Sequence, residues 1–179
     1  MLRSRLLAVA LAAAAFTIPG ISPALANCQD PPKEGVTWDG CNVQGRSLPG
    51  ADLRNAFISG ADMADADLTG ARFNGSFLRI TKLAGAKLAQ SDFTSADLTG
   101  ADLSGADLSG ATLAKATFTG ANLAGADLSG ADLTGAILDN ASLEGAKIEG
   151  AIFTRASLDQ TVWVDGKVCA ETSFGSCQK

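Results

Sequence analysis

From Trp38 to Trp163 an apolar residue returns at every fifth position without one insertion. The centres run Trp38, Val43, Leu48, Leu53, Ile58, Met63, Leu68, Phe73 and onward to Phe153, Leu158 and Trp163, and all 26 are apolar. Two residues before the centre stands Ala in 19 of 26 pentads, and two residues after it stands Gly in 16. The position just before the centre is often Asp, as in Asp97, Asp102 and Asp107. This period excludes both ordinary elements. On an α-helix five residues overshoot a full turn by about 140°, so the centres scatter around the axis. On a flat strand an odd period alternates faces. A chain that turns a corner every five residues instead points each centre at a common shaft, with Ala small enough to point inward beside it. Gly after the centre supplies the positive φ that tight corners favour. The pattern predicts an all-β solenoid.

The charges suggest how many sides close one coil. No acid lies between Asp67 and Asp92, whereas Arg72, Arg79, Lys82 and Lys87 do. Twenty residues above Arg72, Lys82 and Lys87 stand Asp92, Asp102 and Asp107; twenty below stand Asp52, Asp62 and Asp67. Four sides of five residues therefore stack these bases between carboxylates on adjacent coils, where opposed residues are about 5 Å apart. The same register places Phe73 over Phe93, and gathers the Gly replacements Asn55, Ser95, Lys115 and Arg155 at one corner. Six and a half coils at roughly 4.8 Å each give a rod about 31 Å tall.

The units Ala101-Asp102-Leu103-Ser104-Gly105, Ala106-Asp107-Leu108-Ser109-Gly110 and Ala121-Asn122-Leu123-Ala124-Gly125 resemble the pentapeptide repeat family. The resemblance covers nearly the whole chain after residue 26. It implies a right-handed quadrilateral parallel β-helix. It also carries one functional reading, because some members mimic a B-DNA rod and bind type II topoisomerases, by inhibition or in quinolone protection. The opening Trp38-Asp39-Gly40-Cys41-Asn42 and the tail from Trp163 to Cys177 look like the ends of exported bacterial members.

The first 26 residues read as a cleaved signal peptide. Arg3 and Arg5 precede an apolar run from Leu6 to Ile18, and Ala24-Leu25-Ala26 is a cleavage signature. The run is too short to span a bilayer, so no stable membrane insertion is expected after cleavage. An exported protein, periplasmic or extracellular, follows. Cleavage removes two positive charges and no negative ones, taking the formal net charge from −5 to −7. The expected organisation is a cap segment at 27–37, the β-helix at 38–163 and a second cap at 164–179.

Four Cys in an exported chain suggest disulfides. Of three connectivities the simplest joins Cys28 to Cys41 and Cys169 to Cys177, each closing a short end loop. Zinc is the alternative, although the spacings match no common ligand pattern. Trp38 and Trp163 are expected as bulky end plugs, and Asp165-Gly166 as a hairpin turn folding over the last coil. Arg46 occupies an inward Ala position, so its guanidinium is expected to escape through the open end or distort the coil. Residues 72–82, which lose the Ala-Gly rhythm, are expected to form the least ideal coil.

The chain contains no His and no Tyr. That removes His-dependent triads, most catalytic zinc sites and a His general base. No nucleophile elbow, phosphate loop, EF-hand or C-x-x-C motif is present. No enzyme activity, cofactor or metal is expected. The basic belt falls on four faces and reads as inter-coil charge pairing, worth about 0.2–1 kcal/mol per exposed pair. With net charge −7 it does not read as a nucleic-acid site. Phe57 and Phe77 precede their centres and face outward on adjacent coils, with Ile80 nearby. They read either as a partner contact or as stacking between rungs. The sequence therefore suggests an exported scaffold whose rigid faces engage a macromolecule, taken to be protein, or the envelope. The topoisomerase-directed DNA mimic is the alternative, and the signal peptide and basic belt argue against it.

Overall fold

The structure is a computed structural model and describes residues 26–179. The stretch 1–26, expected to be a signal peptide, lies almost wholly outside them. Parallel bridges join Thr37 to Phe57, Asn42 to Asp62, Ser47 to Asp67 and Asp52 to Arg72, and the same step of twenty residues recurs up to Ser142 and Val162. Each coil thus has four sides of five residues. A side contributes one bridged residue before the chain turns, so the bridges stay isolated and no long strand forms. The centres from Leu53 to Leu143 are fully buried, with Ala56, Ala61 and Ala66 beside them. Phe73 and Phe93 stack inside the shaft with centroids 4.4 Å apart and planes 1° from parallel.

The pentad satisfies its own backbone. In residues 102–106, Asp102 N–H donates to Thr81 O on the coil below, while Leu103 and Gly105 donate to Asn122 O and Ala124 O above. Ala106 N–H closes the turn on Leu103 O. One donor per pentad is left over, the N–H of residue 104. It bonds the Asp102 carboxylate at 3.1 Å. The same bond recurs from Thr94 to Asp92, Ser109 to Asp107, Ser129 to Asp127 and Thr134 to Asp132. An unpaired backbone donor is costly even when only partly covered. The frequent Asp before the centre is therefore a turn cap of the Asx kind.

The irregular stretch 72–82 keeps the register. Ser76 and Thr81 occupy inward Ala positions, fully buried, and each hydroxyl donates to a carbonyl, Phe73 O at 2.6 Å and Ile58 O at 2.9 Å. Ser91 and Thr161 do the same with Leu88 O and Leu138 O. A small hydroxyl fits because the shaft offers it an acceptor.

The two ends differ. At the first coil, Cys28 and Cys41 form a disulfide with Cα atoms 5.4 Å apart. Cys41 and Trp38 are buried, and Trp38 Nε1 is a buried donor without a partner among the described residues. Arg46 leaves the shaft: it is exposed and lies over the Trp38 ring at 5.9 Å, while its backbone keeps the normal ladder. At the last coil the chain turns through Asp165-Gly166, with Gly166 at φ 75°, and runs back. Val168 pairs antiparallel with Val162, and Phe174 with Ser157. The second disulfide, Cys169–Cys177, ties this return. Trp163 is only partly buried and tilts against Phe153 at 5.3 Å, so the returning chain shares the covering of that end.

Candidate functional site: the Phe57 face

The sequence pointed to Phe57, Phe77 and Ile80, and the fold brings all three to one face. Phe57 and Phe77 occupy bridged, outward positions on adjacent coils. Their rings stack at 5.2 Å, 13° from parallel, yet both remain about 45% exposed. Stacking along the axis turns the ring edges toward solvent. Ile80 lies at the next corner and is 68% exposed. Its methyl groups reach over the neighbouring corners: a Cβ at Gly100 would come within 3.3 Å of Ile80 Cγ2, and one at Gly60 within 3.9 Å of Cδ1.

Ile80 has φ 52°. Other corners with side chains use Asn55, Asp65, Gln90, Ser95, Lys115, Asn140, Arg155 and Gln160 at φ 54–60°. These are polar or unbranched. A β-branched residue in the left-handed region is a steric outlier costing on the order of 1–2 kcal/mol. Ile80 thus combines backbone strain with apolar exposure. Ile80→Gly is expected to raise stability by about 1 kcal/mol, because glycine adopts this corner freely. Chemical denaturation with unchanged m-value checks it; a destabilised variant would show that the isoleucine packs more than it strains.

The basic belt forms a ring rather than a patch. Arg72 binds Asp52 at 2.9 Å and Lys82 binds Asp62 at 3.4 Å, both on the coil below, while Arg79 reaches Asp97 at 3.4 Å. Two of the three bases selected for their spacing, Arg72 and Lys82, thus engage the carboxylate one coil below; among the described residues Lys87 forms no salt bridge, and none of the three pairs with the carboxylate above. Arg54, not singled out from sequence, does more: it binds both Asp52 at 2.7 Å and Glu34 at 2.9 Å. The hydrogen bond from its guanidinium, with the Arg72 charge adding, holds Asp52 down to about 2 against an ordinary 3.8. Asp67 is lowered by the Thr69 hydroxyl and backbone N–H, and Asp127 by Ser129 in the same way. In Asp97 burial pushes upward, but the Thr99 hydroxyl and backbone outweigh it and the net direction is down.

These depressed carboxyls set the sign of acid sensitivity. Their contribution is present above the ordinary carboxylate value and lost as pH falls through the folded one. The melting temperature is expected to hold steady above about pH 5 and to fall from about pH 4 toward pH 2. Asp52→Asn should shrink the fall measured by calorimetry; an unchanged profile would remove the Arg54–Asp52 pair from the account.

Among the described residues no cluster of three or more His, Cys, Asp or Glu is placed to hold a metal. No described helix is long and apolar enough to cross a membrane.

Comparison with known proteins agrees with this geometry. The pentapeptide repeats model, in eight copies, matches residues 39–75, 78–114 and 116–159. Among solved structures the chain is similar to HetL of the cyanobacterium Nostoc sp. strain PCC 7120, a pentapeptide repeat protein involved in heterocyst differentiation regulation. Identity is 32% over 75% of this chain, with a TM-score of 0.51, and the chain spans 65% of HetL. Trypsin-treated QnrB1, a plasmid-mediated fluoroquinolone resistance protein, is 23% identical over 77% of this chain and 74% of its own, with a TM-score of 0.41. A pentapeptide repeat protein of the Arabidopsis thaliana thylakoid lumen is 25% identical over 78% of this chain and 85% of its own, with a TM-score of 0.28. A search of curated proteins returns no match.

Proposed function

Because the chain belongs to the pentapeptide repeat family, whose fold is a right-handed quadrilateral β-helix, we propose that it is an exported, non-enzymatic scaffold acting by protein contact through its Phe57 face. The observation that carries this reading is the patch of Phe57, Phe77 and Ile80, exposed on a rigid face and strained at Ile80. A large apolar surface that folding leaves in water is the usual mark of an interaction site. Export rests on Arg3, Arg5, the run from Leu6 to Ile18 and Ala24-Leu25-Ala26. The filled shaft leaves the outward side chains as the working surface.

The topoisomerase-directed alternative draws on the acidic columns. Those carboxylates already cap turns through one oxygen, and several pair with bases through the other. They are explained without a DNA-like role.

Three measurements test the reading. N-terminal sequencing after cell fractionation should find the mature chain starting near Asn27 outside the cytoplasm. A photo-crosslinking residue in place of Ile80 should capture protein in that compartment, and the same residue in place of Lys87, on the opposite face, should not. An uncleaved cytoplasmic chain with a dose-dependent effect on gyrase supercoiling would overturn it in favour of the mimic.

A further inference from the structure

The register sorts the outward residues into four columns of unequal chemistry. The Phe57 column reads Thr37, Phe57, Phe77, Asp97, Thr117 and Ile137, then Ser157 with Phe174 of the returning chain paired beside it. Phe57, Phe77, Ile137 and Phe174 are all exposed, and Asp97 is the one charge. The opposite column reads Ser47, Asp67, Lys87, Asp107, Asp127 and Lys147, with five of six charged. Among the described residues the exposed phenylalanines therefore all lie on this side, in a lower pair and an upper group with Ile137, separated by Asp97 and Thr117.

The corners flanking that side carry opposite charge. The corner entering it holds Arg54, Lys115 and Arg155 against one acid, Glu34. The corner leaving it holds Asp39, Asp139 and Asp159 against one base, Arg79. A face with a basic left edge and an acidic right edge is self-complementary in one sense only. If two copies meet face to face about a two-fold axis parallel to the rod, each basic edge lies against the acidic edge of its partner. If they meet antiparallel, basic lies on basic and acidic on acidic, at a cost.

We propose that this face pairs with the same face of a second copy, the two rods side by side and parallel. The inference rests on the reading of the Phe57 face as a protein-contact surface and names its occupant. Equal heights meet in this dimer: the Phe57–Phe77 stack lies on its counterpart, Ile137 on Ile137 and Phe174 on Phe174. Arg155 and Asp159 share one coil and so face each other across the interface, and Lys115 lies one coil, about 4.8 Å, from the level of Asp139. Asp97, which would meet itself on the axis, is paired within its own chain by Arg79 at 3.4 Å and stands less exposed than the phenylalanines. The interface is isologous, as a two-fold dimer requires.

Sedimentation velocity of the purified protein over a range of concentrations tests association. A reversible dimer is expected, weakened by added salt. Phe57→Asp with Phe77→Asp should weaken it at least about tenfold. The fold should survive, since Asp is the usual occupant of these outward positions and would cap its own turn. Single variants Thr37→Cys and Thr117→Cys, four coils apart on the axis, test direction. The four native cysteines are paired, so a short bis-maleimide reads only the new thiol. Parallel rods give a covalent dimer from both variants. A monomer at every concentration, a dimer indifferent to the Phe57/Phe77 change, or cross-linking from one variant or neither overturns the proposal. A monomer whose Ile80 photo-crosslinker still captures a different exported protein overturns the self-pairing alone and leaves the contact surface standing; capture of nothing at all removes both.

Discussion

Deleting Ser104 alone is expected to cost on the order of 4–8 kcal/mol, while deleting the whole coil 101–120 leaves a shorter, folded rod. One missing residue leaves a side of four between coils of twenty. Either the corner at Gly105 is lost or Leu103 turns from the shaft to water. The change forfeits about 1.5–3 kcal/mol of burial and strands at least two backbone groups, at about 1–3 kcal/mol each. A coil removed entire takes its ordering entropy along with its buried residues, and each remaining residue still meets the same pentad position on the same face. Deleting the pentad 101–105 separates the two periods. Inside and outside are kept, but every upper coil rotates by one face relative to the lower ones, so at the seam Lys87 meets Thr112 in place of Asp107, while the ion pairs on either side of the cut remain. Its stability should fall between the other two. Denaturant melts of the three variants decide it; a Ser104 deletion as stable as the coil deletion would mean that the corners are soft and the register is not set by fives.

Phe93→Ala should lower stability by about 3–5 kcal/mol. Phe93 is fully buried and lies flat on Phe73 at 4.4 Å. Its surroundings cannot close over the void. The backbone on all sides is fixed by ladder bonds such as Phe93 N–H to Thr112 O at 2.8 Å and Phe73 N–H to Asp92 O at 2.6 Å. Phe93→Leu keeps most of the volume and should cost less than about 1.5 kcal/mol. Combined with Phe73→Leu it gives a double-mutant cycle, and a coupling of about 0.5–1.5 kcal/mol is expected from the ring pair. Equal losses for the Ala and Leu variants would show that the shaft relaxes more freely than its ladder implies.

What the sequence by itself determined is which residues face inward and how the coils align. A strict period of five admits one way to bury every centre. The charges twenty residues apart and the pair Phe73 and Phe93 then add the coil length, because opposite charges and aromatic rings favour stacking on neighbouring rungs. Phe57, Phe77 and Ile80 could be placed on the surface for the same reason.

Tertiary structure decided what those surface residues are worth. The Asp that precedes many of the centres reads as a charge in a column, but its main task is to cap the one N–H that the ladder leaves over, which appears only when every donor has an acceptor assigned. Arg46 breaks the inward rule at no visible cost, since the first coil is open beside Trp38. The strain at Ile80 depends on a left-handed corner, and residues as different as Asn55 and Arg155 take that corner too, so residue type alone does not reveal it. The chain reversal that covers half of the last coil and the opposite charges of the two edges of the Phe57 face are properties of neighbours brought together by folding. A local repeat dictates local geometry. The sum of contacts across coils, where strain and sidedness reside, exists only once the rod is built.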